Sequence, residues 1–194
     1  MRALRSDHVS PALMRVLDRL DTPAMVVSDL SHTLVQNPLA TALLGDHTRH
    51  TGHARSIVYR YFTDPEERRI YPEADHGHHA RVFVAGLRAV TARGPDPEAS
   101  ELVTELTQRS PEFRRLWDEH EVAVRTSARK RMVHPVIGTI TLDCQTLVAE
   151  NQAQALLPYT ATPGTEDYDK LELLPVLGVQ QFDTDLAQPS SKHA

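Results

Sequence analysis

The sequence predicts an α+β domain in which a five-stranded antiparallel sheet is covered on one face by helices. Three observations support this class. Proline follows a small polar residue at Ser10-Pro11, Asn37-Pro38, Asp64-Pro65, Asp96-Pro97 and Ser110-Pro111, a pattern that marks helix starts. β-prone runs fall towards the two ends of the chain and leave a helical middle. The resulting order is helix, two strands, several helices, three strands and a final helix.

At a helix start the missing N–H of proline costs nothing, and Ser, Asn or Asp before it caps the orphan amides. The same pairs open type I turns, so the apolar spacing behind each proline decides. Behind Pro11, Leu13, Val16, Leu17 and Leu20 predict a helix over about 11–20. Residues 24–28 and 33–36 flank Asp29-Leu30-Ser31 and read as a hairpin. Behind Pro38 come Leu39, Leu43 and Leu44, with Gly45 placed to end the helix. Residues 46–56 read as a polar loop. Behind Pro65, Glu66 and Glu67 suit the positive end of a helix, which Pro72 cuts short. Val82, Phe83, Leu87 and Val90 define a helix over about 79–93, stopped by Gly94-Pro95. Leu102, Val103 and Leu106 follow Pro97, and Phe113, Leu116 and Trp117 follow Pro111.

The late strands are residues 130–134, residues 137–142 extending towards Val148, and residues 155–161. In the second, Ile140 and Leu142 alternate with Thr139 and Thr141, the period of a half-buried strand. Pro158 has no N–H for a ladder, which predicts an edge or a bulge there.

Composition narrows the function classes. The 194 residues are 40% hydrophobic and 24% charged, as globular domains are, which excludes global disorder. A chain this long buries roughly 70% of its unfolded surface and needs no disulfide or metal to fold. The single cysteine, Cys144, excludes an internal disulfide and a cysteine-rich zinc site. Lys and Arg number 21 against 26 Asp and Glu, so no basic excess marks the chain as a nucleic-acid binder. Apolar runs fall short of the ~20 residues a spanning helix needs. The charged start lacks the apolar stretch of a secretory signal, and a cytoplasmic setting is expected. Residues 1–8 read as a leader, 9–178 as the domain, and 179–194 as a disordered tail.

Eleven histidines raise the possibility of a metal. His47, His50 and His53 are three apart, and His76, His78 and His79 cluster. Spacing of three converges on a metal only along a helix, and the first set lies in a Gly/Thr-rich loop. Solvated side chains are therefore expected, and no metal. His120 and His134 fall at the ends of elements, where each is expected to satisfy backbone groups at a corner. Catalytic elbows, phosphate loops and zinc-protease motifs are missing from the sequence, and no catalytic residue or cofactor is expected. Cys144 reads as a small core residue.

The apolar set is the best functional candidate. Ile57, Tyr61, Phe62, Val82, Phe83, Leu87, Leu106, Phe113, Leu116 and Trp117 come from the helices, and Ile140, Leu142 and Tyr159 from the strands. Such a set either fills a core or lines a pocket, and the residues alone leave both open.

Short runs in order along the chain carry a resemblance. They are Val9-Ser-Pro-Ala-Leu13, Asn37-Pro-Leu-Ala40, Phe62-Thr-Asp-Pro65, Ser110-Pro-Glu-Phe-Arg-Arg-Leu-Trp117, His120-Glu-Val122, Lys130, His134-Pro135, Gly138, Tyr159-Thr-Ala161 and Pro163-Gly164. From residue 9 to about 178 the chain resembles the MmyB-like ligand-binding domain of actinobacterial transcription regulators. The resemblance implies a PAS-like effector domain that holds a fatty-acid-like ligand between sheet and helices. It makes the apolar set, with His120, the expected binding site; Arg60, Arg81, Arg114 and His120 lie near that lining in sequence and are the unranked candidates to meet a ligand carboxylate. It also implies a helix-turn-helix DNA-binding domain in front, absent here because eight residues precede the match, and a homodimer paired through residues 11–20. This sequence departs from the family pattern at Pro158, at Cys144 and in segment 73–79. The rival expectations are a filled interaction module and a metal-dependent enzyme using the histidines.

Overall fold

The computed structural model describes residues 5–119, 129–149 and 153–177. Its elements are α1 (Pro11–Leu17), β1 (Ala24–Ser28), β2 (Thr33–Gln36), α2 (Pro38–Leu44), α3 (Ile57–Thr63), α4 (Pro65–Arg69), α5 (His76–Thr91), α6 (Pro97–Arg109), α7 (Pro111–Asp118), β3 (Arg129–His134), β4 (Gly138–Cys144), β5 (Leu147–Val148), β6 (Gln154–Thr160) and α8 (Glu166–Glu172). The expected tail, 179–194, lies outside the described residues.

All five proline starts begin helices. Ser10, Asn37, Asp64, Asp96 and Ser110 each accept a hydrogen bond from an amide in the first turn that follows. α3 starts behind Ser56, which caps the Tyr59 amide with no proline to announce it. α5 begins at His76 rather than 79 and ends at Thr91 rather than 93. The expected polar loop 46–56 contains two 3-10 turns, His47–Arg49 and Gly52–Arg55.

The sheet is antiparallel with the order β2-β1-β6-β4-β3, β5 pairing with β6 as well. β4 and β5 lie along the same side of β6 in one register, with Cys144 opposite Tyr159 and Leu147 opposite Leu156. The break between them has a chemical cause. Gln145 N–H donates to the Pro158 carbonyl at 3.2 Å, but Pro158 has no N–H to return. Pro158 therefore sits in a central strand and interrupts its neighbour's ladder without a change of register, where the sequence predicted an edge or a bulge.

Alternation sends β1 side chains to two different cores. Met25 and Val27 join Leu30, Met132, Ile140, Leu142 and Tyr159 beneath α3, α5, α6 and α7. Ala24 and Val26 join Leu156 and meet Leu17 of α1 and Val9 on the opposite face. α1 thus stands apart from the main helical layer, behind the β1–β6 part of the sheet.

Two open strand edges are covered without strands. Val133 N–H of β3 donates to the Ile70 carbonyl at 2.8 Å. β6 leaves most of β4 unpaired, and α8 takes its place: Asp167 accepts from Thr141 N–H at 3.0 Å, and Lys170 donates to the Thr139 carbonyl at 2.9 Å. Covered edges resist pairing with other chains. Among the described residues, no helix is long and apolar enough to cross a membrane.

Candidate functional site

The interior between the sheet and the main helical layer collects most of the predicted residues. Ile57, Tyr61 and Phe62 of α3, Leu87 of α5, Leu106 of α6, Phe113 and Leu116 of α7, Ile140 and Leu142 of β4, and Tyr159 of β6 belong to one buried cluster. Phe83 and Trp117 are partly buried against it. His120 lies outside the described residues. Tyr71 belongs to the same cluster and was missed in the sequence, because it stands in a proline-interrupted turn with no periodic neighbours.

Aromatic rings run through this interior as a contiguous chain. Tyr71 lies 4.2 Å from His79 and 6.0 Å from Tyr61, centroid to centroid. Tyr61 meets Phe83 at 4.9 Å and Phe62 at 5.2 Å, Phe62 meets Phe113 at 5.2 Å, and Phe113 stacks on Trp117 at 5.5 Å. Edge-to-face and offset contacts of this kind stabilise beyond their buried area. Two arginines cover the chain. The Arg68 guanidinium sits 4.8 Å from the Tyr61 centroid and pairs with Glu112 at 2.5 Å. The Arg88 guanidinium sits 4.3 Å from the Trp117 centroid and donates to the Trp117 carbonyl. Cation–π attraction orients both.

The arginines expected to meet a carboxylate are placed otherwise. Arg60 is buried and committed, bonding Glu67 through Nε and Nη2 and the Ala54 and Arg55 carbonyls through Nη1. Arg114 is exposed and donates to the Thr107 carbonyl. Arg81 is exposed as well. Among the described residues, Arg68 and Arg88 are the guanidiniums that stack on the aromatic chain.

A small polar island sits against the apolar wall. His47 lies 3.9 Å from Glu67, and burial, only partly offset by that carboxylate, pushes its pKa down to about 4. The expectation of solvated loop histidines is therefore corrected at His47, which is 6% exposed; His79, on α5, is buried as well, at 5%. Burial, helped by nearby Lys130 and His78, pushes His79 down to about 4 also. Burial pushes the Tyr61 hydroxyl up to about 12, and its proton is donated to the His76 carbonyl at 2.6 Å. Tyr71 and Tyr159 are raised further, again by burial first; Tyr159 is also hydrogen-bonded to the Cys144 thiol. These hydroxyls stay protonated and act as neutral donors or acceptors.

His134 is structural. Its Nδ1 accepts from the Val136 and Ile137 amides at 3.2 and 3.4 Å, so Nε2 carries the proton and donates to the Ala42 carbonyl at 3.0 Å. Among the described residues, no group of three His, Cys, Asp or Glu side chains converges as a metal site requires. A surface hollow of about 140 Å³ is lined by Thr91, Gly94, Pro95, Asp96 and Ser100, none of them in the predicted set.

Residues 9–174 match the family model of the MmyB-like transcription regulator ligand binding domain. The chain belongs to that family. The MmyB-like match covers every element from α1 to α8 and both cores, and it makes this interior part of a regulator's ligand-binding domain. No curated protein matches the chain.

Proposed function

We propose that this MmyB-like domain is a non-enzymatic sensor that takes a small apolar, fatty-acid-like ligand between the helical layer and the sheet. The observation that carries this is the convergence of ten predicted side chains, from four helices and two strands, on one interior. Each CH₂ of an acyl chain buried there would contribute about 0.8 kcal/mol. Arg68 and Arg88 are the cations best placed to meet a ligand carboxylate, since both lie over the aromatic chain and are half-buried. A ligand between two layers changes their separation, and it shifts the equilibrium by as much as it prefers one arrangement. A helix-turn-helix domain reads the shift, in the cytoplasm, through a homodimer paired along α1.

Denaturing extraction of the purified protein, followed by mass spectrometry of the organic phase, tests the ligand class. One acyl species in near-stoichiometric amount is expected, together with a rise in melting temperature on adding that species. An empty extract and an unchanged melting temperature across a panel of medium- and long-chain fatty acids would overturn the proposal.

The contiguous ring contacts favour a second reading, an interaction module with a filled core. Leu87→Trp separates the two. In a core with room for a ligand the larger ring fits at little cost; in a filled one overpacking costs about 1–3 kcal/mol.

A further inference from the structure

The segment in front of α1 is fastened to the domain at five points. Arg5 donates to Asp29 at 2.7 Å, to Asp96 at 2.8 Å and to Glu98 at 2.6 Å. Asp7 accepts both terminal nitrogens of Arg55, at 3.0 and 2.8 Å. Gln154, 2% exposed on β6, donates its side-chain amide to the Ser6 and His8 carbonyls at 2.8 and 3.0 Å. Val9 is buried in the α1 core.

The anchoring groups belong to the pieces that frame the interior. Asp29 is in the β1–β2 turn. Asp96 is the N-cap of α6, its other oxygen holding the Ala99 amide at 3.2 Å, and α6 sends Leu102 and Leu106 into the main core. Arg55 directly precedes the cap of α3, whose first amide, Ile57 N–H, donates to the Ser31 carbonyl of the same turn at 2.9 Å. A change in the distance of α6 or α3 from the sheet pulls Asp96, Glu98 or Arg55 away from Asp29 and Gln154. One arginine and one carboxylate of the segment cannot keep all their partners through such a change.

We propose that residues 5–9 are a latch that closes only when α3, α6 and the β1–β2 turn hold one arrangement, so that the state of the interior is handed to whatever precedes residue 5. The trigger rests on the sensor reading above; the mechanical link does not.

Hydrogen exchange by mass spectrometry on the full chain, wild type against Arg5→Gln, tests the link. The amides of Asp29, Ile57 and Ala99 should exchange about tenfold faster in the variant, while the β3–β4 hairpin keeps its rate. Faster exchange confined to residues 5–9 would overturn the latch. Should Arg5→Gln unfold the domain, the hairpin will accelerate too; Arg55→Gln, which frees Asp7 at an exposed position, is then read at Ile57 and Ala99 by the same criterion. A second arm adds sodium oleate, with fluorescence of the single tryptophan, Trp117, reporting binding. Bound oleate should accelerate exchange at residues 6–9. Oleate that binds and leaves those residues unchanged would overturn the hand-over. Oleate that fails to bind counts against the fatty-acid reading alone, and the first arm still decides the latch.

Discussion

Arg60 and Glu67 meet inside the domain with Nε 2.8 Å from Oε2, and Arg60 is 2% exposed and Glu67 8%. Burying both charges is costly, and their value lies in the completeness of the bonding, since Arg60 also holds two carbonyls in the turn before α3. Glu67→Ala strands the guanidinium and should cost about 3–5 kcal/mol in urea denaturation. Replacing both partners, Arg60→Met with Glu67→Leu, should recover much of that loss. A double variant no more stable than Glu67→Ala would show that the carbonyl bonds of Arg60 in the turn before α3, and not the unpaired charge, set the cost.

His47 and His79 tie stability to pH. Both are held at about 4 against an ordinary 6.5, so the unfolded chain binds more protons between those values. The stability their neutral forms contribute is complete above pH 6.5 and is lost as pH falls towards 4, by roughly 3 kcal/mol at most for each imidazole. His79→Phe keeps a ring against Tyr71 and removes one titration. Denaturation midpoints measured from pH 7 to pH 4 should fall less steeply than in wild type, the rest of the slope belonging to His47 and to His32 and His50, which burial also shifts down. An unchanged slope would place the acid sensitivity elsewhere.

Much of this fold was legible because its signals are local. A capping residue, a proline and a nearby apolar stripe are enough to predict a helix start, and Ser10, Asn37, Asp64, Asp96 and Ser110 all behave so. Ile57, Tyr61 and Phe62 read as helical, but the bounds of α3 were not legible, because Ile57 and Val58 are β-branched and no proline follows Ser56 to mark the start. His47 was misjudged for a non-local reason: Glu67, which faces it, comes from a different helix. The latch shows the same limit more strongly. The partners of Arg5 are 24, 91 and 93 residues away, and nothing in the spacing of residues 5–9 announces them. The apolar site set was found because buried residues declare themselves by type; the arginines over it were not, because stacking depends on where helices cross.

Pro158 offers a test of the broken ladder. Restoring an N–H opposite the Gln145 carbonyl should close the gap between β4 and β5. Pro158→Ala should show a slowly exchanging amide at position 158, with stability changed by less than about 1 kcal/mol, because the new bond is offset by the added freedom of the unfolded chain. Fast exchange at that amide would mean the strands diverge for a reason other than the missing donor.

α8 replaces a strand along β4 with two side chains, Asp167 on the Thr141 amide and Lys170 on the Thr139 carbonyl. The buried Leu171 and Leu174 hold the helix on the main core, so the polar contacts are presented by an element that stays in place without them. Asp167→Ala should therefore leave α8 docked but the Thr141 amide bare. The expected cost is about 1–2 kcal/mol, with faster exchange at Thr141 than in wild type. A bare edge also invites a second chain, so the variant should associate with rising concentration in sedimentation where the wild type keeps its state. Asp167→Asn retains an acceptor and should restore most of both. Exchange at Thr141 as slow in Asp167→Ala as in wild type would mean that the edge is shielded by the bulk of α8 and not by its carboxylate.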